Sequence, residues 1–174
     1  MNILKEEKNR MQELAGLIKE GDKTSNKLEH GIGLVLKVDD YSKEGLVSLE
    51  IPKEPGGNEM TKLPNDKLHT TLTSIKSFKP FRDNFENFTL PEGLNIPSAI
   101  LGTGKFVYRD EQGKVTYVIS IDNQSEFKSF VDGIYNSLGL ENPEPDRFFH
   151  ITVANNAGGN SFKSIGNVTK KDFN

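Results

Sequence analysis

The most informative pattern in the sequence is an alternation of apolar and polar residues between positions 147 and 159. A period of two predicts a β-strand that is buried on one face only. The residues expected on the buried face are Phe149, Ile151 and Val153. His150 and Thr152 would share the opposite face, because successive side chains of a strand point to opposite sides. The segment is therefore predicted to be a core strand that presents a histidine and a threonine.

A second segment, 67–75, has the same organisation. Leu68 and Leu72 would face the core, while His69 and Thr71 would lie together on the other face. A single His-x-Thr match occurs often by chance, and a lone histidine in a strand is usually structural. The chain has only three histidines, however, and two of them lie in this same context. The sequence therefore predicts two His-x-Thr strands that act together.

Two helices and three further strands are predicted outside these motifs. Apolar residues recur with helical spacing over 3–20, and over a segment that begins at Ser125 and ends before Gly139. The segments with a strand pattern are 31–38, 96–108 and 114–122. A polar turn separates the last two, and its Gly113 suits a left-handed conformation, which predicts a hairpin.

Three segments have no clear period. Residues 44–51 fit either a helix or a strand, and the glycines and prolines of 52–65 predict a loop. The aromatic segment 78–95 is interrupted by proline and is expected to wrap the surface. The order of strand, mixed segment, strand, hairpin, helix and strand predicts an α+β fold.

The composition is that of one globular domain. A chain of 174 residues, of which 34% are apolar, can bury a substantial core but is short for two domains. Residues 1–28 are predicted to form a helical extension with a polar linker, followed by the main domain over 29–174. The extension is expected to pack on the domain or to bind a partner.

Charge and cysteine content restrict the environment and the partners. No apolar run reaches the roughly 20 residues of a membrane span, and the first residues lack the features of a signal peptide. The absence of cysteine excludes disulfides and thiol chemistry and fits a reducing cytoplasm. A net charge of −3 disfavours a long nucleic acid. We therefore expect a cytoplasmic protein, free of membranes, whose ligand is a small anion.

The two motifs suit acid/base chemistry on a phosphodiester. The imidazoles of His69 and His150 can divide general acid and general base work near neutral pH. The hydroxyls of Thr71 and Thr152 would lie beside them as donors to phosphate oxygens. These four residues are the predicted catalytic group.

Other uses of the histidines find less support in the sequence. There is no His-Glu-x-x-His segment, no cysteine, and no carboxylate at ligand spacing from either motif. A serine hydrolase is disfavoured because no Gly-x-Ser-x-Gly segment occurs. No metal or other cofactor is predicted.

Four further residues are candidates for substrate binding. Lys67 and Arg147 flank the motifs and could contact phosphate, and Asn156 follows the second motif in a loop that could present its amide to a ligand. Tyr41 is one of several aromatic residues that could stack on a base. Each also has an ordinary structural explanation, as a solvated cation, a turn residue or a packed aromatic.

The segments 68–72 and 149–153 resemble the motifs of the two-histidine phosphoesterase superfamily, of the LigT and cyclic-phosphodiesterase type. The resemblance covers about residues 29–168. It implies a fold of two β-rich lobes around a central cleft with flanking helices. It also implies an acid/base pair and two phosphate ligands, carried by His69, Thr71, His150 and Thr152.

Within that superfamily, the segment 66–71 and the modest length are most similar to the phage anti-CBASS phosphodiesterases. This resemblance implies hydrolysis of cyclic oligonucleotide messengers without a metal, in the cytoplasm of a host cell if a phage encodes the chain. Those enzymes stack a base on an aromatic residue near the first strand, whereas residues 33–35 here are Gly-Leu-Val. An enzyme acting on RNA 2′,3′-cyclic phosphate ends and a non-catalytic nucleotide sponge or virion module remain the alternatives. The sequence predicts no oligomeric state and does not distinguish the acid from the base.

Overall fold

A computed structural model describes residues 28–30 and 33–174 of the chain. The predicted helix over 3–20 lies outside the described residues, as does the extension up to residue 27. The described part is an α+β structure built on one antiparallel sheet, as the sequence predicts. Its strands are β1 (Leu28–His30), β2 (Leu34–Lys37), β3 (Thr61–Lys62), β4 (His69–Thr73), β5 (Leu101–Arg109), β6 (Lys114–Ile121) and β7 (His150–Asn155).

The sheet order is β1-β2-β4-β7-β6-β5, with β3 paired to the end of β7. The strands β4 and β7, which carry the two motifs, are therefore neighbours at the centre. The predicted hairpin is confirmed as β5 and β6, and Gly113 between them has a left-handed φ of 61°. The two short strands β1 and β3 are not predicted by the sequence.

The described helices are α1 (Asp40–Val47), α2 (Ile75–Phe78) and α3 (Gln124–Ser137). The ambiguous segment 44–51 thus begins inside a helix, which starts earlier because the Asp39 carboxylate accepts a hydrogen bond from the backbone N–H of Ser42 at 2.7 Å. The prediction of α3 is confirmed, and its buried face consists of Phe127, Phe130, Val131, Ile134 and Tyr135. None of the described helices is long and apolar enough to cross a membrane.

One face of the sheet packs against α1, α3 and the segment that follows α2. The expectation that residues 78–95 wrap the surface is wrong for their aromatic residues. Phe78, Phe85 and Phe88 are buried, and the rings of Phe85 and Tyr135 meet edge to face with centroids 5.8 Å apart. Apolar burial draws the aromatic side chains of this segment into the core, although its backbone forms a 3₁₀ turn over Lys79–Phe85 and not a regular α-helix.

The opposite face of the sheet is only partly covered. A smaller apolar cluster forms there between the hairpin and the C-terminal segment, and it consists of Val107, Val118, Ile165 and Val168. Arg109 fastens that segment by donating two hydrogen bonds of 3.1 Å to the carboxylate of Asp172. The remainder of this face forms the wall of a cavity.

Candidate active site

The pairing of β4 with β7 brings the two His-x-Thr motifs together. Thr70 lies opposite Ile151 in this antiparallel pair, and both residues are buried. The register therefore places each histidine beside the threonine of the other motif, on the face away from the main core. All four predicted catalytic side chains line one cavity on that face: His69, Thr71, His150 and Thr152.

This cavity has a volume of about 470 Å³. Its floor consists of β2, β4 and β7, and residues 161–166 of the C-terminal segment form one wall. Two of its lining residues are apolar side chains that remain largely exposed, Phe162 at 76% and Ile75 at 54%. The cavity therefore combines a polar floor with an apolar rim, as is usual for sites that bind small molecules.

Both histidines are oriented by backbone carbonyl groups of their own strands. Nδ1 of His69 lies 2.7 Å from the carbonyl oxygen of Lys67, and Nδ1 of His150 lies 3.3 Å from that of Phe148. A carbonyl oxygen can only accept, so each Nδ1 must carry the proton. In the neutral rings the lone pair is then on Nε2, which has no hydrogen-bond partner among residues 28–30 and 33–174. Each histidine thus has the tautomer that a general base requires.

Burial favours the neutral form of both rings. It lowers the pKa of His150 to about 4, against the opposing effect of the hydrogen bond to the Phe148 carbonyl. Burial also lowers the pKa of His69, and the charges of Lys37 and Lys67 act in the same direction, while the Lys67 carbonyl and the charge of Glu29 oppose the shift. His150 is the more deeply buried of the two, and its ring stacks on Phe148 at an interplanar angle of 14°. The environment of both imidazoles therefore favours the neutral ring.

The threonine hydroxyls of the motifs are available to a ligand. Neither Thr71 nor Thr152 makes a side-chain hydrogen bond within the described part of the chain, although both line the cavity. A hydroxyl in this position can donate to an oxygen anion between the two imidazoles. Hydroxyl donors beside two basic nitrogen atoms suit a phosphoryl group or a similar tetrahedral anion.

The charged residues of the cavity lie mainly at the β1–β2 side. Lys37 is the register partner of His69, and its ammonium group lies 3.7 Å from the carboxylate of Glu29 and donates to the Asp66 carbonyl at 2.7 Å. Sequence reasoning missed both Lys37 and Glu29. For Lys37 the available signal is its alternation with buried Leu36, which places it on the same face as the motif residues once β2 is known to pair with β4.

Lys67 is the one predicted substrate-binding residue that lines the cavity. It ends a 3₁₀ turn, Asn65–Lys67, immediately before β4. Its carbonyl orients His69, while its exposed ammonium group lies 3.8 Å from the carboxylate of Asp66. An exposed pair of this kind is weak, so the lysine remains free to turn toward an anion.

The other three predicted substrate-binding residues do not line the cavity. Arg147 instead donates to the Thr71 carbonyl at 2.9 Å and to Glu144 at 2.6 Å. The amide of Asn156 bonds the hairpin turn, accepting from the backbone of Val115 and donating to that of Gly113. Tyr41 is 89% exposed on α1.

Phe162 is an aromatic residue of the rim that the sequence did not single out as a ligand contact. It lies in the 3₁₀ turn Ser161–Lys163, which begins at a side-chain cap from Asn160. An aromatic side chain that is 76% exposed and lines a cavity is suited to stacking on a flat group. Phe162 lies in a short polar segment of the sequence, and no local pattern predicts that this segment packs beside the motif strands.

Among the described residues, no group of three or more histidine, cysteine or acidic side chains is placed to hold a metal ion. Comparison of the chain with protein-family models, with curated proteins and with solved structures finds no match.

Proposed function

We propose that the protein is a metal-independent phosphodiesterase that hydrolyses cyclic oligonucleotide messengers. The observation that carries this proposal is the arrangement of His69, Thr71, His150 and Thr152 on one cavity floor, with both Nε2 atoms and both hydroxyls unpaired in the described part of the chain. Two imidazoles and two hydroxyls can activate a nucleophile, protonate a leaving group and hold the phosphoryl oxygens between them.

The first step is an intramolecular transfer within a 3′–5′ linkage. One imidazole takes the proton of the ribose 2′-hydroxyl, whose oxygen forms a bond to the adjacent phosphorus. The bond from phosphorus to the 5′-oxygen breaks, and the second imidazole gives its proton to that oxygen. The product is a linear chain that ends in a 2′,3′-cyclic phosphate.

The second step opens the cyclic phosphate with water. The imidazole that has lost its proton takes one from water, whose oxygen bonds to phosphorus as one ring P–O bond breaks. The other imidazole returns its proton to the departing ribose oxygen. One water is consumed, and both histidines recover their starting protonation states.

We assign the base of the first step to His150 and the acid to His69. Burial lowers the pKa of His150 to about 4, so this ring holds a proton least readily before the reaction. His69 is only half-buried, and the Lys67 carbonyl and the carboxylate of Glu29 favour its protonated form against burial and the charges of Lys37 and Lys67. The negative charge of a bound phosphodiester raises the pKa of both rings and makes a protonated His69 accessible.

The two lysines that line the cavity favour an anionic ligand. Lys37 and Lys67 line the cavity with His69 and can balance the phosphate charge, while the net charge of −3 leaves no broad field for a long polynucleotide. The exposed ring of Phe162 offers an apolar surface for a base. A small nucleotide therefore suits this site better than duplex nucleic acid.

The sheet is compatible with the two-lobed architecture that the motifs imply. The halves β1-β2-β4 and β7-β6-β5 meet at the motif strands, and each half supplies one histidine and one threonine. We propose on this basis that the chain has the LigT-like two-histidine fold, and that it acts in the cytoplasm, in that of a host cell if it is phage-encoded.

The proposal is tested by incubating the protein with a panel of substrates and identifying the products by mass spectrometry. The panel contains cyclic di- and trinucleotides and RNA with a 2′,3′-cyclic phosphate end. We expect linear products from cyclic nucleotides, with a cyclic-phosphate intermediate at early times. Opening of the RNA ends alone would assign the protein to the second enzyme class. Binding of cyclic nucleotides without any linear product would identify a nucleotide sponge instead.

A further inference from the structure

The contact between the two motif strands is the shortest pairing along the main order of the sheet. A single register pair, Thr70 with Ile151, joins β4 to β7, whereas four pairs join β2 to β4 and five join β6 to β7. The relative position of the two histidines depends on this junction. Another element must therefore help to hold β4 against β7.

A chain of polar contacts spans the junction at one end. The Arg147 guanidinium donates through Nε to the carbonyl of Thr71 at 2.9 Å, and through a terminal nitrogen to the carboxylate of Glu144 at 2.6 Å. Glu144 in turn accepts from the backbone N–H of Ser74 at 3.0 Å and from the Ser74 hydroxyl. Ser74 follows Thr71 by three residues, so the backbone between them closes these contacts into a loop. Arg147 precedes His150 by three residues, so the loop lies next to both motifs.

The two charged members of this loop are largely withdrawn from water. Their side chains are 13% and 19% exposed for Arg147 and Glu144 respectively. Although burial opposes it, the hydrogen bonds from Ser74 and the charge of Arg147 hold the pKa of Glu144 below its usual range. The pair is therefore ionised at neutral pH, and the rigid guanidinium fork fixes two acceptors at once.

We propose that Arg147 and Glu144 are positioning residues that hold the Thr71 end of β4 against the start of β7, so that His150 stays beside Thr71. Neither side chain lines the cavity, so this role differs from contact with phosphate. The catalytic consequence rests on the proposed phosphodiesterase function, whereas the structural consequence does not. We call the pair of Arg147 and Glu144 the brace. It matters to catalysis because small displacements of reacting groups reduce rates strongly.

The first test is kinetic and uses Arg147→Met and Glu144→Gln, with Lys128→Met as the control. Lys128 belongs to an exposed ion pair with Asp132 on α3, at 2.7 Å. We expect both brace variants to lower kcat on the order of tenfold to a hundredfold while KM changes less than about threefold. The control should retain wild-type values. A raised KM with unchanged kcat would show that Arg147 binds substrate, and wild-type kinetics in both brace variants would equally overturn the proposal.

The second test needs no turnover. Nuclear Overhauser contacts between His150 and Thr71 should be present in the wild type and weakened in Arg147→Met and Glu144→Gln, while those within β6 and β7 persist. Unchanged contacts in both variants would contradict the positioning role. If the wild type cleaves no nucleotide, this experiment still decides the structural claim.

An imidazole titration by NMR tests whether the guanidinium of Arg147 is held close to His150. The charged and titratable groups that act on His150 are Arg147, His69 on β4 and Asp172 in the C-terminal segment, and Arg147 is a cation that lowers its pKa. Arg147→Met should therefore raise the pKa of His150, and Arg147→Lys should leave it close to the wild-type value. An unchanged pKa in a folded Arg147→Met protein would show that the guanidinium is not held at this position.

Discussion

Thr70 of β4 and Ile151 of β7 face each other at the centre of the sheet, and this one register pair determines how the two motifs meet. Because both residues point into the core, the histidine and threonine on either side of each must point into the cavity. A shift of one residue in either strand would bury one motif and separate the pair. The catalytic proposal therefore depends on the packing of residues that never touch the ligand.

The motif threonines provide a first prediction. Thr71→Val and Thr152→Val keep the shape of the side chain and remove the hydroxyl that is proposed to bind a phosphoryl oxygen. Each should lower kcat/KM on the order of a hundredfold to a thousandfold, the range for loss of one donor to a developing anion. Steady-state kinetics with a cyclic dinucleotide measures this change.

Thr70→Val is the matched control for these variants. Thr70 lies between His69 and Thr71 in sequence but is buried on the core face. Its replacement should leave kcat/KM within about twofold of wild type, because no step of the reaction uses it. Equal losses in all three variants would mean that the effect comes from strand packing and not from the phosphate contact.

The buried histidine predicts a pH dependence of stability. The pKa of His150 is about 4 in the folded protein and near its ordinary 6.5 in the unfolded chain, so the unfolded chain binds more protons between these values. The free energy of unfolding should therefore decrease as the pH falls from 6.5 toward 4, with a contribution from this group of up to about 3 kcal/mol.

Urea unfolding of the wild type and His150→Gln over this pH range measures that contribution. The variant should lose less stability on acidification, since its carboxylates titrate as in the wild type but the buried imidazole is absent. Parallel curves for the two proteins would show that His150 titrates normally in the folded state.

The aromatic rim provides a prediction about affinity. Phe162→Ala should raise Kd for a cyclic dinucleotide about fivefold or more, because stacking on one base contributes roughly 1–3 kcal/mol. The free energy of unfolding should change by less than about 0.5 kcal/mol, since the ring is exposed. Tyr41→Ala is the control, because Tyr41 is an aromatic residue that is even more exposed and lies outside this cavity. Equal affinities for wild type and Phe162→Ala would exclude stacking on this residue.

The identity of the nucleophile can be tested with the substrate. If the ribose 2′-hydroxyl attacks phosphorus, a cyclic dinucleotide without 2′-hydroxyls should bind but resist cleavage. Chromatography of the reaction products over a long incubation measures this difference. Hydrolysis of the deoxy compound at a comparable rate would show that water attacks directly.

Local patterns in the sequence predicted the motif strands, the hairpin and α3 because each has a clear period and an identifiable turn or end. Gly113 and Gly139 take the left-handed conformations expected of their positions, with φ of 61° and 69°. The placement of all four motif side chains on one cavity floor required the sheet order, since the motif histidines His69 and His150 are far apart in the chain. The period of apolar and polar residues in each segment does not specify which strands pair with one another.

The failures of sequence reasoning have physical reasons too. Arg147 has the charge of a phosphate ligand, but Glu144, three residues earlier, pairs with it in a contact that no strand pattern reveals. Asn156 follows the motif strand directly, but its amide bonds the adjacent hairpin turn. Lys37 and Phe162 reach the cavity only through tertiary structure, from strand pairing in one case and the return of the C-terminal segment in the other.

The most direct test of the central claim measures the rate at which a cyclic dinucleotide is linearised. This rate is compared for the wild type with and without a chelator, and for the variants His69→Ala and His150→Ala. The two imidazoles are proposed to act as acid and base without a metal. We therefore expect the wild-type rate to be insensitive to the chelator and each variant, folded by circular dichroism, to be slower by about a hundredfold or more. A wild-type rate abolished by the chelator, or near-normal turnover in either variant, would contradict the account.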